Sequence, residues 1–468
     1  MKFLGLNLGL AVFNLSGCSR LIDQNFKFKS LNNEDLVLLD GFSYEIIRSF
    51  QDAINSKEAF GTNNDFTAFF KLDETKALLW VNHEGIDTKL IPDYNEQRKA
   101  TGGSVITIEK KQGQWRFSDN QALQEKYNRR YDANSEVSFT GPVNFENAKG
   151  TLANCSGGIT PWNTVLTCEE NFDHFPDKYG WQDFTREHYG WVCEIDPYNK
   201  DSIISKHTAL GRFAHENATV ALTASNKLVV YMGDDKENEH IYKYVSNNSY
   251  KGNAGDLLSN GKLYVAKFKD DKSGTWELLS IENPKLKDHF DSQAELLIDT
   301  RKAAKILEAT ELNRPEDLEI SPYDQNLFVA LSINYSKFDL NGAIMKLSYD
   351  DHEDIEFNYD YFLKGGQEAG LSCPDNLCFD NLGNLWVATD IYEPSLPAYA
   401  GHETNGLFMI PLSGKDAGKP KRFASAPRGA EITGPSFSDD YQTIFFSVQH
   451  PDQDTRFNKS AVVAVKLS

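Results

Sequence analysis

The stretch Asn384-Leu-Trp-Val-Ala-Thr-Asp390 decides the fold, because it is an apolar β-rich run that ends on an acid. The turn signal Asp380-Asn-Leu-Gly383 leads directly into it, and a second β-rich run, Gly406-Leu-Phe-Met-Ile410, follows. The same unit recurs along the chain with weak sequence identity between copies. The other five copies begin at Ala77, Thr164, Leu228, Asn326 and Thr443.

Six such pairs, with additional strands between them, predict an all-β fold: a six-bladed β-propeller with loop insertions. The irregular spacing of the copies indicates that long insertions decorate some blades. A β-sandwich is the structural alternative, but six similar pairs over the whole chain fit it poorly. Helix is scarce, and Asp299 to Leu307 is the best candidate. Because no linker rich in Pro, Gly or Ser interrupts the chain, we expect residues 30–468 to form a single domain.

The charge of the chain limits its partners. The 468 residues carry a formal net charge of −20 at pH 7. This argues against nucleic acid as a partner, because no basic surface is available to displace phosphate counterions. It also raises a question for any anionic substrate, which the surface would repel unless bound cations reverse the local field.

The N-terminus predicts export. Lys2 is followed by an apolar run from Phe3 to Leu15 and then by Ser16-Gly17-Cys18, which is typical of a lipoprotein signal. Residues 1–17 would then be a signal peptide, Cys18 a lipidated first residue and residues 18–29 a polar tether. The sequence thus predicts an exported lipoprotein, periplasmic or outer-surface, that contacts the membrane only through this lipid. A buried N-terminal strand is the alternative.

Cysteine counting points to an unpaired thiol. Six cysteines minus Cys18 leave five, an odd number, so in an oxidising compartment at least one is free, intermolecular or bound to another group. Cys155 lies in a loop fixed by two glycines and Pro161, which suits a thiolate presented to a metal. A soft thiolate favours iron, zinc or copper over calcium. A disulfide between Cys155 and Cys168 is the open alternative.

The remaining candidate functional groups are acidic side chains at strand ends. A phosphate-cradling glycine loop, a G-x-S-x-G elbow and an H-E-x-x-H helix are all absent from the sequence. Glu169 and Glu170 are adjacent and point to opposite faces of a strand, so at most one can serve a shared site. Equivalent blade ends converge on a propeller's central channel, where several carboxylates repel one another unless cations neutralise them. The converging acids therefore predict metal ions.

The ordered motifs resemble the PhoX-type alkaline phosphatases, which are secreted bacterial propeller phosphatases. The resemblance extends from Asn63-Asn-Asp65 to Gln449-His-Pro451. Its specific segments are Trp80-Val-Asn-His-Glu84, Asn154-Cys155, Leu166-Thr-Cys-Glu-Glu-Asn171, Gly211-Arg-Phe-Ala-His-Glu216, Val230-Tyr-Met-Gly-Asp-Asp235, Arg314-Pro-Glu316, Cys373-Pro-Asp375 and Thr433-Gly-Pro435.

This resemblance implies a metal-dependent phosphomonoester hydrolase with two Fe³⁺ ions joined by an oxo group and several Ca²⁺ ions. By motif, Cys155 would be the iron thiolate, Glu216 and Glu316 carboxylate ligands, and Glu170 a calcium ligand. Arg314 would bind the phosphoryl group. Asp375 and Asp390 both fit a further acidic ligand, with Asp390 preferred, and Glu431 is another candidate. The catalytic group would thus comprise Arg314, Cys155, Glu216 and Glu316, acting on phosphate monoesters in a monomer.

Two other functions stay open at this point. The first is a different propeller hydrolase such as a calcium-dependent lactonase, which needs no thiolate ligand. The second is a non-catalytic lipoprotein propeller that binds a glycan or a partner. The signal also departs from the family pattern, because the better-known members carry a twin-arginine signal and export a folded, metal-loaded protein.

Overall fold

The computed structural model describes residues 33–182, 184–401 and 404–467. The predicted signal peptide, Cys18 and the tether lie outside the described residues.

The strands, in chain order, are β1 (Val37–Leu38), β2 (Tyr44–Ser49), β3 (Asn64–Lys71), β4 (Lys76–His83), β5 (Gly102–Lys111), β6 (Gln114–Phe117), β7 (Arg129–Tyr131), β8 (Val137–Thr140), β9 (Asn154–Ile159), β10 (Val165–Glu169), β11 (Val192–Ile195), β12 (Ile204–His207), β13 (Thr219–Leu222), β14 (Lys227–Gly233) and β15 (Glu237–Glu239). They continue as β16 (Ile241–Ser249), β17 (Gly261–Phe268), β18 (Ser273–Leu278), β19 (Leu312–Asn313), β20 (Pro315–Ile320), β21 (Leu327–Leu331), β22 (Ala343–Ser348), β23 (Glu356–Lys364), β24 (Pro374–Phe379), β25 (Asn384–Thr389), β26 (Gly406–Pro411), β27 (Lys421–Ser425), β28 (Glu431–Phe437), β29 (Thr443–Gln449) and β30 (Ala461–Lys466).

The helices are short and lie between strands. The α-helices are α1 (Tyr94–Ala100), α2 (Gln121–Tyr127), α3 (Phe175–Tyr179), α4 (Pro284–Lys287), α5 (Gln293–Ile298) and α6 (Thr300–Ile306), and the 3₁₀ turns are Arg186–His188, Thr208–Leu210 and Pro397–Tyr399. The last α-helix falls inside the predicted segment Asp299 to Leu307. Within the described residues, no helix is long and apolar enough to cross a bilayer.

Antiparallel sheets are arranged around a central channel. The first strands of successive units contact one another in the order β3, β9, β13, β20, β24 and β28, and β28 returns to contact β3. These six inner strands enclose the channel. Strands β18 and β23 pair, so two of the units join into one nine-stranded sheet. The count of six separate blades therefore stays a prediction.

The ends of the chain close the ring. Strand β2, near the start of the described residues, pairs antiparallel with β30, the last strand. Strand β1 similarly pairs with β27. Each pairing joins distant parts of the sequence through backbone hydrogen bonds. These backbone hydrogen bonds hold the start of the described chain against the last two sheets.

The middle strands are buried on both faces, which explains their continuous apolar sequences. In β29, Ile444, Phe446 and Val448 pack into the core between this sheet and the preceding one. Phe445 points the other way and joins the core that contains Ile106 and Ile108 of the following sheet. All seven residues of β29 are buried. Sheet-on-sheet packing of this kind fixes the position of each inner strand at the channel.

Candidate functional site

A β-bulge recurs at the start of the inner strands and directs side chains into one end of the channel. Asn64 pairs with His83 but Thr67 pairs with Val81, so two residues face one across the ladder. The same one-residue shift occurs in β9, β20, β24 and β28. At β13 the shift appears between the His215–Asp234 bridge and the Thr219–Tyr231 pair. Bulges reorient side chains locally and are frequent beside active sites.

The first bulge residue of five inner strands is an acid or the cysteine. At the sixth strand the corresponding residue is Gly434, which lies in the left-handed region at φ 52°. A Cβ there would come within 2.3 Å of the Phe66 Cα atom, so only glycine fits. The five other positions are Asp65, Cys155, Glu216, Glu316 and Asp375.

The backbone before four of these bulges is strained. The residue two positions earlier has a positive φ although it is not glycine: Asn63 at 43°, Ala153 at 54°, Arg314 at 40° and Cys373 at 51°. Such conformations cost on the order of 1–3 kcal/mol each and persist where the surrounding structure enforces them. Their repetition at one end of the channel marks that end as the site.

The ends of the second strands complete the cavity. It has a volume of about 780 Å³ and contains all eight of the site residues predicted from the sequence. They are Cys155, Glu170, Glu216, Arg314, Glu316, Asp375, Asp390 and Glu431. The sequence interpretation assigned no role to Asp65, Glu84, Asp235 or Lys178, which line the same cavity.

Three overlapping groups within this cavity have the geometry of metal sites. One ligand atom from each member lies within 4.8 Å of the others. The groups are Asp65, Glu84 and Cys155; then Cys155, Glu170 and Glu216; then Glu216, Asp235 and Glu316. Cys155 and Glu216 are shared between groups, which is an arrangement suited to neighbouring cations. Asp375, Asp390 and Glu431 line the cavity outside these groups.

Burial and mutual repulsion act on the acids. Burial, with the nearby charges of Asp235 and Glu84, raises the pKa of Glu216 to about 8. Burial also raises the pKa values of Asp65 and Asp375 well above the usual range, and neighbouring carboxylates add to both shifts. A bound cation favours the charged form of each carboxylate and would relieve this repulsion, so the cluster suits a metal centre.

The thiol is available for a metal. Cys155 is a free, buried cysteine, and its Sγ lies 3.6 Å from the Asp65 Oδ2 atom. Cys168 is also free, so the disulfide alternative is not formed. Burial and the charges of Asp65 and Glu216 raise the pKa of the Cys155 thiol. Asp65 Oδ1 has no hydrogen-bond partner although it is buried. A thiolate with surrounding carboxylates suits iron together with a hard cation such as calcium.

The two adjacent glutamates separate as the strand alternation predicts. Glu169 turns away from the cavity and forms a fully buried ion pair of 2.7 Å with Lys206. Glu170 faces the cavity, where it accepts a hydrogen bond of 2.6 Å from Asn171. Asn171 also donates to Glu84 at 2.9 Å, which ties the ends of two units together. Only Glu170 of the pair can therefore serve the site.

Cations are fewer in the cavity than acids. Arg314 donates two 2.8 Å hydrogen bonds to Asp235 and lies 3.0 Å from Glu316. Although burial acts to raise the pKa of Asp235, Arg314 holds that pKa below its usual range. Lys178, on α3, is exposed over the acids Glu84 and Glu170. The sequence carries no local signal for this lysine, because only the fold brings α3 over the channel.

Comparisons with known proteins agree with the geometry. The family model described as alkaline phosphatase PhoX matches residues 25–452. The structure of Pseudomonas fluorescens PhoX in complex with vanadate, a transition-state analogue, is similar with a TM-score of 0.84 and 27% identity. That match covers 94% of this chain and 97% of the other, and it confirms the predicted β-propeller.

More distant structures add no functional information. The gluconolactonase XC5397 from Xanthomonas campestris is 11% identical with a TM-score of 0.41, covering 92% of this chain and 97% of that one. A protein of unknown function from Dyadobacter fermentans is 8% identical with a TM-score of 0.45, covering 92% and 100%. A comparison with curated protein sequences gave no match. Because the family model spans most of its length, the chain belongs to the PhoX family of alkaline phosphatases.

Proposed function

We propose that this PhoX-family phosphatase hydrolyses phosphate monoesters at the acidic end of its channel, using iron and calcium ions held by Cys155 and the surrounding carboxylates. The observation that carries the proposal is the convergence of one free thiol and a ring of buried acids in three overlapping groups. Vanadate binding by the Pseudomonas fluorescens enzyme supports phosphoryl transfer as the chemistry. The family's dependence on metals supports the cofactor.

The chemistry of the donor set supports an assignment of residues to cations. Cys155 would bind iron, with Glu216 and Glu316 as further ligands, and Glu170 would bind calcium. Asp65, Glu84 and Asp235 join this set on geometry. Two Fe³⁺ and several Ca²⁺ ions are the proposed complement. When bound, such cations act as Lewis acids that neutralise the phosphoryl oxygens. They also explain how a protein with a net charge of −20 accepts an anionic substrate.

The chain's own cations would position the phosphate. Arg314 has its guanidinium fixed by Asp235, so it needs no reorganisation to donate to a phosphoryl oxygen. Lys178 offers a second positive charge from the rim of the cavity. Together they bind and orient the substrate while charge develops on the equatorial oxygens. No serine or histidine nucleophile is required by this arrangement.

The cellular setting belongs to the same proposal. The pattern Leu15-Ser-Gly-Cys18 supports export and a lipid on Cys18, with no other membrane contact. A monomer is proposed because the inner strands of the described chain already form a closed ring. Lipid anchoring is tested by comparing how wild-type and Cys18→Ser protein distribute between the membrane and soluble fractions. If both distribute alike, lipid anchoring is wrong.

The decisive experiment combines a metal assay with turnover. Purified wild-type protein, loaded with iron and calcium, is assayed with 4-nitrophenyl phosphate, and its metal content is measured by mass spectrometry. We expect Cys155→Ala to lose iron and at least a hundredfold in kcat/KM, because removal of a ligand disrupts the cation arrangement.

Cys378→Ala is the matched control, since Cys378 is a free cysteine at the opposite mouth of the channel. It should keep both the metal content and the activity. Absence of turnover by metal-loaded wild-type protein, or full turnover and iron content in Cys155→Ala, would contradict the proposal.

A further inference from the structure

A second cavity opens directly beside the acidic one. It has a volume of about 760 Å³, within the range of roughly 300–1,000 Å³ that is usual for small-molecule sites. The two cavities share Asp390, Tyr392 and His450 as lining residues, so they lie directly next to each other. We refer to this second cavity as the side groove.

Resting on the proposed function, we infer that the side groove binds the alcohol portion of the substrate, and that the preferred substrates are phosphate monoesters of uncharged, ring-bearing alcohols. A phosphoryl group bound by the acidic cavity's cations has its ester oxygen directed either to solvent or into a neighbouring space. The shared walls make the side groove that neighbouring space.

The described part of the segment that forms the groove, residues 390–401 with 404 and 405, is anchored by buried contacts. This segment lies between β25 and β26, and its Tyr399 is fully buried. The Tyr399 hydroxyl donates a 2.7 Å hydrogen bond to the Leu340 carbonyl, and its ring packs with Ile333, Cys373 and Ile391. At the start of the loop, the Ile391 amide donates to the Asn405 side chain at 2.6 Å. A fixed wall binds a ligand without the entropic cost of ordering a loop.

The chemistry of the walls selects a ring without charge. Ile391, Leu396, Pro397 and Ala430 give the groove an apolar surface, and Tyr392, 77% exposed, presents a ring at the junction with the acidic cavity. An aromatic ring there can stack on a flat substrate group.

The basic groups that line the groove are already paired. Its arginine, Arg428, is bound to Asp452 and Asp454 outside the groove. His450 is hydrogen-bonded to Glu431 at 2.8 Å and to the Gly429 carbonyl at 2.7 Å. Among the described residues that line the groove, a second anionic group on the alcohol would therefore meet only cations that are already paired, and Asp390 would repel it. We therefore expect bisphosphates and phosphorylated acids to be poorer substrates than esters of uncharged alcohols.

Benzyl phosphate and ethyl phosphate test the inference. Both are esters of primary alcohols and release an alkoxide, but only benzyl phosphate carries an aromatic ring. For metal-loaded Tyr392→Ala, we expect kcat/KM to fall about tenfold on benzyl phosphate and less than twofold on ethyl phosphate. Tyr392→Phe should behave as wild type if ring stacking is the interaction. Ala400→Trp, which fills the groove from an exposed position on the same loop, should exclude benzyl phosphate selectively.

Tyr323→Ala is the control, since Tyr323 is 58% exposed and lines neither cavity. Equal losses on both esters, or no loss on either in both groove variants, would overturn the inference. Hydrolysis of neither ester by wild-type protein would instead overturn the proposed function. The two failures are therefore distinguishable.

Discussion

The guanidinium of Arg314 is bound to both carboxylate oxygens of Asp235, through Nε and Nη2 at 2.8 Å each. This fork fixes the plane of the guanidinium, and Nη2 also lies 3.0 Å from Glu316. The third nitrogen, Nη1, takes part in none of these bonds. Arg314 is therefore a pre-oriented cation whose remaining donors are available to a phosphate in the cavity.

The first prediction concerns this fork. Arg314→Lys keeps the positive charge but cannot make the planar two-point contact with Asp235, so the cation loses its orientation. We expect kcat/KM for 4-nitrophenyl phosphate to fall about a hundredfold, which is the usual effect of losing a pre-organised donor. Arg116→Lys is the control, because Arg116 is exposed and contacts Glu45 at 3.1 Å far from the cavity. Equal activity in the two variants would show that the fork has no role.

The second prediction concerns Asp65, which shares a group with Cys155. Asp65→Asn removes a buried carboxylate that is repelled by Glu84 and Glu216, while an amide keeps the shape of the side chain. Without metal, the variant should therefore be more stable than wild type by about 1 kcal/mol. With iron and calcium the order should reverse, because the variant lacks a ligand.

Calorimetry in chelator and in metal-containing buffer measures both effects on Asp65→Asn. Asp119→Asn is a suitable control, since Asp119 is an exposed acid paired with Lys111. It should leave the response to metal unchanged. If Asp65→Asn gains as much stability from metal as wild type does, Asp65 is not a ligand.

The third prediction concerns the pair behind the cavity. Arg301, on α6, forms a two-point ion pair with Asp234, the residue directly before Asp235. We expect this pair to position the Asp235 peptide and therefore Arg314. Arg301→Met leaves Asp234 buried and unpaired, which should cost about 3–5 kcal/mol of stability. The double variant Arg301→Met/Asp234→Asn removes the unpaired charge and should recover much of that stability.

The activity of the two variants shows whether the Arg301–Asp234 pair positions Arg314 or only stabilises the fold. If the pair positions Arg314, both variants should show kcat/KM about tenfold below wild type although only the single variant is unstable. A double variant with recovered stability and wild-type kcat/KM would show that the pair is purely structural. Unfolding curves and steady-state kinetics on the same preparations supply both quantities.

Much of the fold could be predicted because the second and third strands of each unit are buried on both faces. Leu385, Trp386, Val387 and Ala388 are all fully buried, and their unbroken apolar run indicates a strand by itself. The first strands are less evident from sequence. They line the channel and begin with polar residues such as Asn64 and Asp65, so their burial comes from packing around the axis and not from a local pattern.

A similar distinction separates the site residues that could be predicted from the sequence from those that could not. Cys155, Glu216 and Glu316 could be found because the resemblance to a known family marks them. Asp235 lies in one of the family's motifs, but two adjacent acids do not reveal by themselves which of them faces the channel. For the acids of the first strands the bulges decide which side chain faces the channel, because a one-residue shift in register changes the face to which a side chain points. No spacing rule in a single sequence predicts such a shift.

The last prediction concerns pH and a lysine distant from the cavity. Lys243 is fully buried in β16, where its Nζ donates to the carbonyls of Asp354 at 2.6 Å and His352 at 3.3 Å. Burial lowers the pKa of Lys243 to about 7, although Asp354 and Asp351 act in the opposite direction. In the unfolded chain the pKa of a lysine is about 10.4.

Between about pH 7 and about pH 10.4, the unfolded chain therefore binds a proton at Lys243 that the folded protein does not. The unfolded state holds more protons, so the free energy of unfolding should rise with pH across this window, by up to about 1.4 kcal/mol per pH unit from this residue. Below about pH 7 Lys243 is protonated in both states, so its contribution no longer changes with pH. Lys243→Met removes the titrating group and should flatten this dependence.

Urea unfolding at about pH 7 and about pH 9 measures the difference in the free energy of unfolding. Lys262→Met is the control, because Lys262 is exposed and its removal should keep the wild-type slope. Parallel curves for wild type and Lys243→Met would show that Lys243 is not the residue responsible.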